Sequence, residues 1–237
     1  MNIESNNIIY NQRSNSFFQN LLLEIRARFY EKEIISSIFS AIWSEKSNWK
    51  NIDIWGWAWH KTIKLDNFII WKEWTLELIE PSSGMREKAK QKLQDRNIVI
   101  SKWHSRDLSH HKEVENIYCN QMTHHLDLND KKLFFNNAFN ALKKNWKLFI
   151  LDTTIPDWKA LSYLFTILIK YYKKYIWKNN TYYNITTQEY ITLLEEVWFE
   201  IDIKHTRHFY LMKWFWQWCT KKGLLHPFMT QIVAIKP

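Results

Sequence analysis

Glycine is nearly missing from this 237-residue chain: there are 3, where an average share of about 7% corresponds to roughly 17. Cysteine is also scarce. Cys119 and Cys219 are the only two, and they form neither a CxxC pair nor a disulfide framework. With no basic-then-apolar segment at the N-terminus, the expected setting is a reducing cytoplasm. No long hydrophobic run occurs. The most apolar stretch, Ala160 to Ile169, is closed by Lys170 and is about half of the roughly 20 residues that cross a bilayer. A transmembrane helix is therefore not expected.

Hydrophobic residues at 46% and charged residues at 24% exclude a collagen-like, fibrous or extensively disordered chain. The length suits one α/β domain with a large core and a small appendage. The formal charge of +9 favours polyanionic partners, RNA or an anionic membrane surface. Lys, Asn and Ile are abundant all along the chain, however, and no block of like charge forms. Tryptophan is the excess: 15 residues. Trp and Gly together make up about the share that glycine alone usually takes, near 7%.

Apolar residues between Ser16 and Ser44 recur at steps of three and four, which predicts one or two amphipathic helices. Strands are expected at Asn51 to Ile54, Thr75 to Glu80, Asn97 to Ser101, Val114 to Asn120 and Lys147 to Asp152. Helices are expected at Met85 to Gln94 and Asp130 to Lys144, the latter burying Leu133, Phe134, Ala138, Phe139, Ala141 and Leu142. This alternation predicts βαβ units and a parallel sheet. A long aromatic-rich helix follows over Trp158 to Trp177. Thr186 and Glu189 have capping-box spacing and open a helix to Val197. Terminal strands at Phe199 to His205 and Met229 to Ile235 close the pattern. No internal repeat or Ser/Pro-rich linker divides the chain.

The segment Asn51 to His60 reads NIDIWGWAWH. With glycine at each Trp it becomes NIDIGGGAGH, an acidic residue just before a glycine-rich turn at a strand end. Such a turn needs positive φ and close backbone approach to a ligand, which glycine permits and tryptophan denies. The same exchange places glycine before KLFILD, and at Trp198 after LLEEV, where a left-handed helix cap belongs. It also supplies turn glycines at Trp71, Trp74 and Trp103. We therefore read most of the 15 Trp as glycines encoded by UGA, which some bacterial lineages translate as Gly and a common alternative table as Trp. UGG codons at positions 55, 57 and 59 would refute this. The competing reading is an aromatic-rich protein in which Trp55, Trp57 and Trp59 fill a core or line a sugar-binding face.

With that exchange the chain resembles the class I S-adenosylmethionine-dependent methyltransferases, near the small-molecule group that includes quinone-biosynthesis enzymes. The resemblance rests on Asp53-Ile-Trp-Gly-Trp-Ala-Trp59, Glu80-Pro-Ser-Ser-Gly-Met85 with Ala89, Asn120-Gln-Met-Thr-His-His-Leu126 and Leu142-Lys-Lys-Asn-Trp-Lys147. It implies a Rossmann-like α/β sandwich: a seven-stranded, mostly parallel sheet with helices on both faces, N-terminal helices over 1–48 and a helical cap insertion over 156–180. The cofactor half would span 49–155, and 181–237 would complete the sheet within a single domain. It further implies S-adenosylmethionine as cofactor. The backbone at Trp55, Gly56 and Trp57 would cradle its methionine part, with Asp53 near the amino group. Glu80, followed by Pro81, would accept from the ribose hydroxyls, for which a two-oxygen carboxylate is suited. The adenine position departs from the family pattern. His104 stands where an aspartate is usual, followed by Ser105, and Asp107 is the alternative. Asn120 would face the methyl-bearing sulfur.

No metal site is expected, because neither His110-His111 nor His124-His125 has i, i+4 spacing and no cysteine clusters with them. His124 or His125 is a candidate base for an acceptor hydroxyl, imidazole titrating near neutrality. Alternatively it packs the cleft or caps the next helix. Tyr163, Phe165, Tyr171 and Tyr172 in the cap point to a small apolar or aromatic acceptor, methylated on O, C or N. An RNA or protein methyltransferase, a peripheral membrane enzyme acting on a lipid-like quinone, and a non-enzymatic Trp-rich binding protein are the alternatives.

Overall fold

Short runs rich in Ile, Leu and Val form the strands of one sheet. The structure, a computed structural model, describes residues 50–54, 62, 63, 65, 66, 75–102, 105–154, 183, 185–209 and 228–237. The expected N-terminal helices, the turn at 55–59 and the Trp158 to Trp177 helix lie outside the described residues. In chain order the elements are β1 (Lys50–Ile54), β2 (Thr75–Ile79), α1 (Ser83–Leu93), β3 (Ile98–Ser101), β4 (Val114–Asn120), α2 (Leu128–Ala141), β5 (Leu142–Thr154), α3 (Thr187–Glu195), β6 (Glu200–Ile201), β7 (Arg207–Phe209) and β8 (Phe228–Ile235). Two 3-10 turns, Ser105–His110 and Thr123–His125, flank β4.

The strands lie in the order β3-β2-β1-β4-β5-β8-β6, and the short β7 also pairs with β8. Pairing is parallel from β3 through β5. β8 runs antiparallel to β5, β6 and β7. Side chains alternate across a strand, so Leu78 and Ile79 face opposite layers. Leu78 packs against Met85, Ala89 and Leu93 of α1. Ile79 belongs to the larger core with Phe134, Phe135 and Ala138 of α2 and Tyr190, Leu193 and Leu194 of α3. This is the expected sandwich with helices on both faces. The chain direction of strand order reverses between β1 and β4, which opens a crevice at their carboxyl ends.

Several boundaries differ from the sequence expectation for identifiable reasons. Asp127 caps α2 by accepting from the Asp130 amide at 2.9 Å, so the helix starts at Leu128 and its buried stripe is Lys131, Phe134, Phe135, Ala138 and Ala141. Leu133 is instead exposed. The helix stops at Ala141 because Leu142 turns extended (φ −68°, ψ 142°) and begins β5 five residues early. Within β5 the positive φ falls on Asn145 (68°), not on Trp146, which is partly buried against the core. Glycine is therefore not demanded at 146. The strand expected over Phe199 to His205 ends at Ile201, since the Asp202 carboxylate pairs with His205 Nδ1 at 2.8 Å and its carbonyl accepts the Thr206 amide at 3.0 Å. That local turn competes with strand continuation.

The capping box of α3 forms with both bonds: the Glu189 amide donates to Thr186 Oγ1 at 3.1 Å and the Thr186 amide donates to Glu189 Oε2 at 2.6 Å. At its other end the Phe199 amide donates to the Leu194 carbonyl and the Trp198 amide to that of Glu195, at 3.1 and 2.9 Å. These are the two bonds of a Schellman motif, whose penultimate position is left-handed. Trp198 occupies it at φ 73° with 78% of its surface exposed. A Cβ there costs about 1–2 kcal/mol, and the indole recovers little by burial. Trp198→Gly is accordingly expected to stabilise the fold by about 1 kcal/mol, read as a Tm rise of about 2–4 °C in thermal unfolding.

Candidate active site

Four polar residues sit at the carboxyl ends of adjacent strands: Asp53 on β1, Glu80 just after β2, Asn120 on β4 and Asp152 near the end of β5. Each is buried. In an open α/β sheet this edge is where ligands bind. Parallel register aligns Asn51 with Asn116 and Asp53 with Tyr118, giving β1 and β4 a shared polar face. Asn116 Nδ2 and Tyr118 Oη both donate to Asn51 Oδ1, at 3.1 and 3.3 Å. Further along, Asn120 Nδ2 donates to Asp53 Oδ1 at 3.3 Å and Thr62 Oγ1 donates to Oδ2 at 2.7 Å. Asp53 and Asn120 are thus brought together beside the strand-order reversal. Asp53 lies one residue before β1 ends, and Asn120 is the last residue of β4.

Glu80 lies on the next strand. Its Oε1 accepts from the Ser82 amide at 2.8 Å, and Oε2 has no donor among the described residues. Burial pushes its carboxyl up to about 8, against the Ser82 bond and the nearby Arg86, which act in the other direction. Arg86 Nη1 donates to the carbonyls of Glu80 and Pro81, at 3.0 and 2.6 Å, and Ser82 caps α1. Backbone and side chain are held by these bonds while one carboxyl oxygen lacks a donor among the described residues. A ligand offering a hydroxyl pair would meet that need.

A second cluster forms where β4 and β5 end. Asp152 Oδ1 pairs with His124 Nδ1 at 2.5 Å, and Oδ2 accepts the His124 amide at 2.9 Å together with the Thr123 hydroxyl. Thr123 Oγ1 lies 2.6 Å from Tyr190 Oη on α3. A threonine hydroxyl has one proton, already given to Asp152, so Tyr190 is the donor in that contact. Burial and the Asp152 charge push the Tyr190 phenol well up, consistent with a proton-donating role. His125 lies with its ring 4.0 Å from that of His124. Lys131 donates to the Leu126 carbonyl and, at 2.7 Å, to that of Tyr183. The Tyr183 amide in turn donates to the His124 carbonyl at 2.7 Å. Burial pulls Lys131 down to about 8, opposed first by Asp152.

Trp55, Gly56, Trp57 and His104 lie outside the described residues. Ser105 and Asp107 fall in the turn Ser105–His110, with their side chains outside the described set. No group of three or more His, Cys, Asp or Glu suited to a metal occurs among the described residues. None of their helices is long and apolar enough to cross a membrane. Sequence reasoning missed Thr62, Thr123, Asp152 and Tyr190. A signal existed for one of them: Asp152 ends the apolar run LFILD, as Glu80 ends LELIE.

No protein-family model and no curated protein matches the chain. Solved structures do match. The YcgJ protein of Bacillus subtilis superposes with a TM-score of 0.66 at 11% identity, covering 87% of this chain and 99% of that one. A SAM-dependent methyltransferase of Methanosarcina mazei gives 0.61 at 16%, covering 81% and 94%. The N-methyltransferase NodS of Bradyrhizobium japonicum, solved with S-adenosyl-L-homocysteine, gives 0.61 at 12%, covering 88% of each chain. The chain has the Rossmann-like fold of class I methyltransferases.

Proposed function

We propose that this protein is an S-adenosylmethionine-dependent methyltransferase acting on a small acceptor. The observation that carries the reading is Glu80: a buried carboxylate at the end of β2, one oxygen without a donor among the described residues, placed for the two ribose hydroxyls. The neighbouring solved structures, one of them with S-adenosyl-L-homocysteine, support it. Bound there, the cofactor supplies an electrophilic methyl on a sulfonium. Asp53 and Asn120, held to each other, take the methionine end, and the turn at Trp55, Gly56 and Trp57 lines it with backbone. Pro81 keeps Glu80 extended. His104, Ser105 and Asp107 belong to the adenine side, with either His104 or Asp107 as its contact. Positioning provides much of the rate enhancement in such a displacement, since the leaving sulfur departs neutral.

The reading includes glycine at most Trp positions, 55, 57 and 59 above all; the left-handed Trp198 supports it. The acceptor is small and apolar or aromatic, selected by the N-terminal helices and the 156–180 cap, in a cytoplasmic enzyme. Calorimetric titration with S-adenosylhomocysteine tests the central claim on the chain carrying W55G, W57G and W59G. A Kd in the range of about 1–100 μM is expected; no binding at millimolar ligand would overturn it.

A further inference from the structure

The cluster at the ends of β4 and β5 is more elaborate than cofactor binding requires. Asp152 is buried and accepts from the Thr123 hydroxyl, the His124 amide and the His124 ring. The second bond fixes the residue's backbone and the third its imidazole, so His124 is held at two points by one carboxylate. Because Nδ1 donates to Asp152, the neutral ring carries its lone pair on Nε2. Tyr190 feeds the same carboxylate through Thr123, tying α3 to it. The other titratable groups that sense Asp152 are Lys131 on α2 and Cys119 on β4, and His125 lies alongside. The location matters as much as the bonding. β5 leaves the described sheet at Thr154, two residues beyond Asp152, and the chain returns at Tyr183 with its amide on the His124 carbonyl. His124 is therefore bonded through its carbonyl to Tyr183 and through its ring to Asp152, two residues before Thr154, and it lies four residues beyond Asn120.

We propose that His124 is the general base of the methyl transfer, with Asp152 and Thr123 as positioning residues, and that the acceptor atom is a hydroxyl oxygen of a phenol-like compound. This rests on the methyltransferase reading. In the step, the acceptor oxygen forms a bond to the methyl carbon as the carbon–sulfur bond breaks. The electron pair of that bond goes to sulfur, which leaves as the neutral thioether, and the hydroxyl proton passes to His124 Nε2 and then to water. An amine that is already deprotonated needs no such base, whereas a weakly acidic hydroxyl does.

Two measurements test it. Imidazole nitrogen shifts of 15N-histidine-labelled protein, with His124 assigned by its loss in H124Q, are expected to show a protonated Nδ1 and an unprotonated Nε2 in the neutral ring. This state should be lost in D152N. The readout is independent of cofactor, and the opposite tautomer would overturn the proposal. Turnover is then followed as S-adenosylhomocysteine release from the W55G/W57G/W59G chain with catechol, 4-hydroxybenzoate and hydroquinone, against sarcosine. A hydroxyl should be methylated. H124Q should lower kcat about 100-fold or more, and D152N at least about tenfold, with KM little changed. Unchanged kcat in folded D152N, or cofactor binding with only sarcosine methylated or no hydroxyl turned over, would reject the base and the acceptor class. Absence of cofactor binding would instead reject the methyltransferase reading, whatever the tautomer.

Discussion

Exchanging Trp55, Trp57 and Trp59 for glycine is expected to convert a chain with no measurable affinity for S-adenosylhomocysteine into one that binds it at least about 100-fold more tightly. The reason is steric. β1 delivers the chain at Ile54 to the sheet's carboxyl edge, beside the bonded pair of Asp53 and Asn120. A ligand lying against backbone just beyond this edge needs residues without Cβ atoms, which glycine provides and tryptophan does not. Each unmet bond to a charged group costs about 1.5–3 kcal/mol, so losing two already accounts for a 100-fold difference. Trp198→Gly alone is the control: it should raise stability and leave affinity unchanged. Equal binding by the literal and the glycine-bearing chains would refute the exchange, and UGG codons at 55, 57 and 59 would refute it directly.

The second large effect is expected from Glu80→Gln, and it has opposite signs for binding and stability. The Glu80 carboxyl stands at about 8 in the folded chain against an ordinary 4.5. Between those values the folded state holds a proton that the unfolded state has lost, so stability falls as pH rises through this window and levels off above about 8. The limiting slope is about 1.4 kcal/mol per pH unit. Glutamine has no proton to lose. Glu80→Gln should therefore match the parent below pH 4.5 and exceed it in stability by a few kcal/mol at pH 8.5, read from urea midpoints across the pH series. For the cofactor the order reverses. Ribose hydroxyls donate best to the ionised carboxylate, so parent affinity should rise toward pH 8 and the loss in Glu80→Gln should grow from about tenfold at pH 7 to about 100-fold at pH 8.5. Binding below pH 8 should release a proton, visible as a dependence of the measured heat on buffer ionisation enthalpy. A flat stability profile in the parent would sink the assignment of Glu80 as a buried acid with a raised pKa.

Much of this architecture was legible beforehand because its signals are local. Thr186 and Glu189 face each other across one helical turn, and their reciprocal bonds need nothing from the rest of the chain. Val114 to Asn120 is an unbroken strand bounded by turns, and it is observed with those ends. Trp198 was singled out from its place after LLEEV, and the left-handed cap needs only α3's own carbonyls. The limits of α2 were less legible, since apolar residues continue past Ala141 and only pairing of Leu142 with Val114 decides that they join the sheet.

The candidate site divides the same way. Asp53 and Glu80 are readable as acids within one residue of a strand end, a property of the chain's order alone. The His124 cluster joins residues 28 to 67 positions apart, and nothing in the intervening composition announces that Asp152, Thr123 and Tyr190 meet. They meet because β5 pairs with β4 in parallel and α3 joins the same core, which fixes positions in space that chain order leaves free. Local chemistry is encoded where neighbouring residues bond to one another. Convergence of distant polar groups depends on which strands become neighbours, a choice made by burial of the whole core.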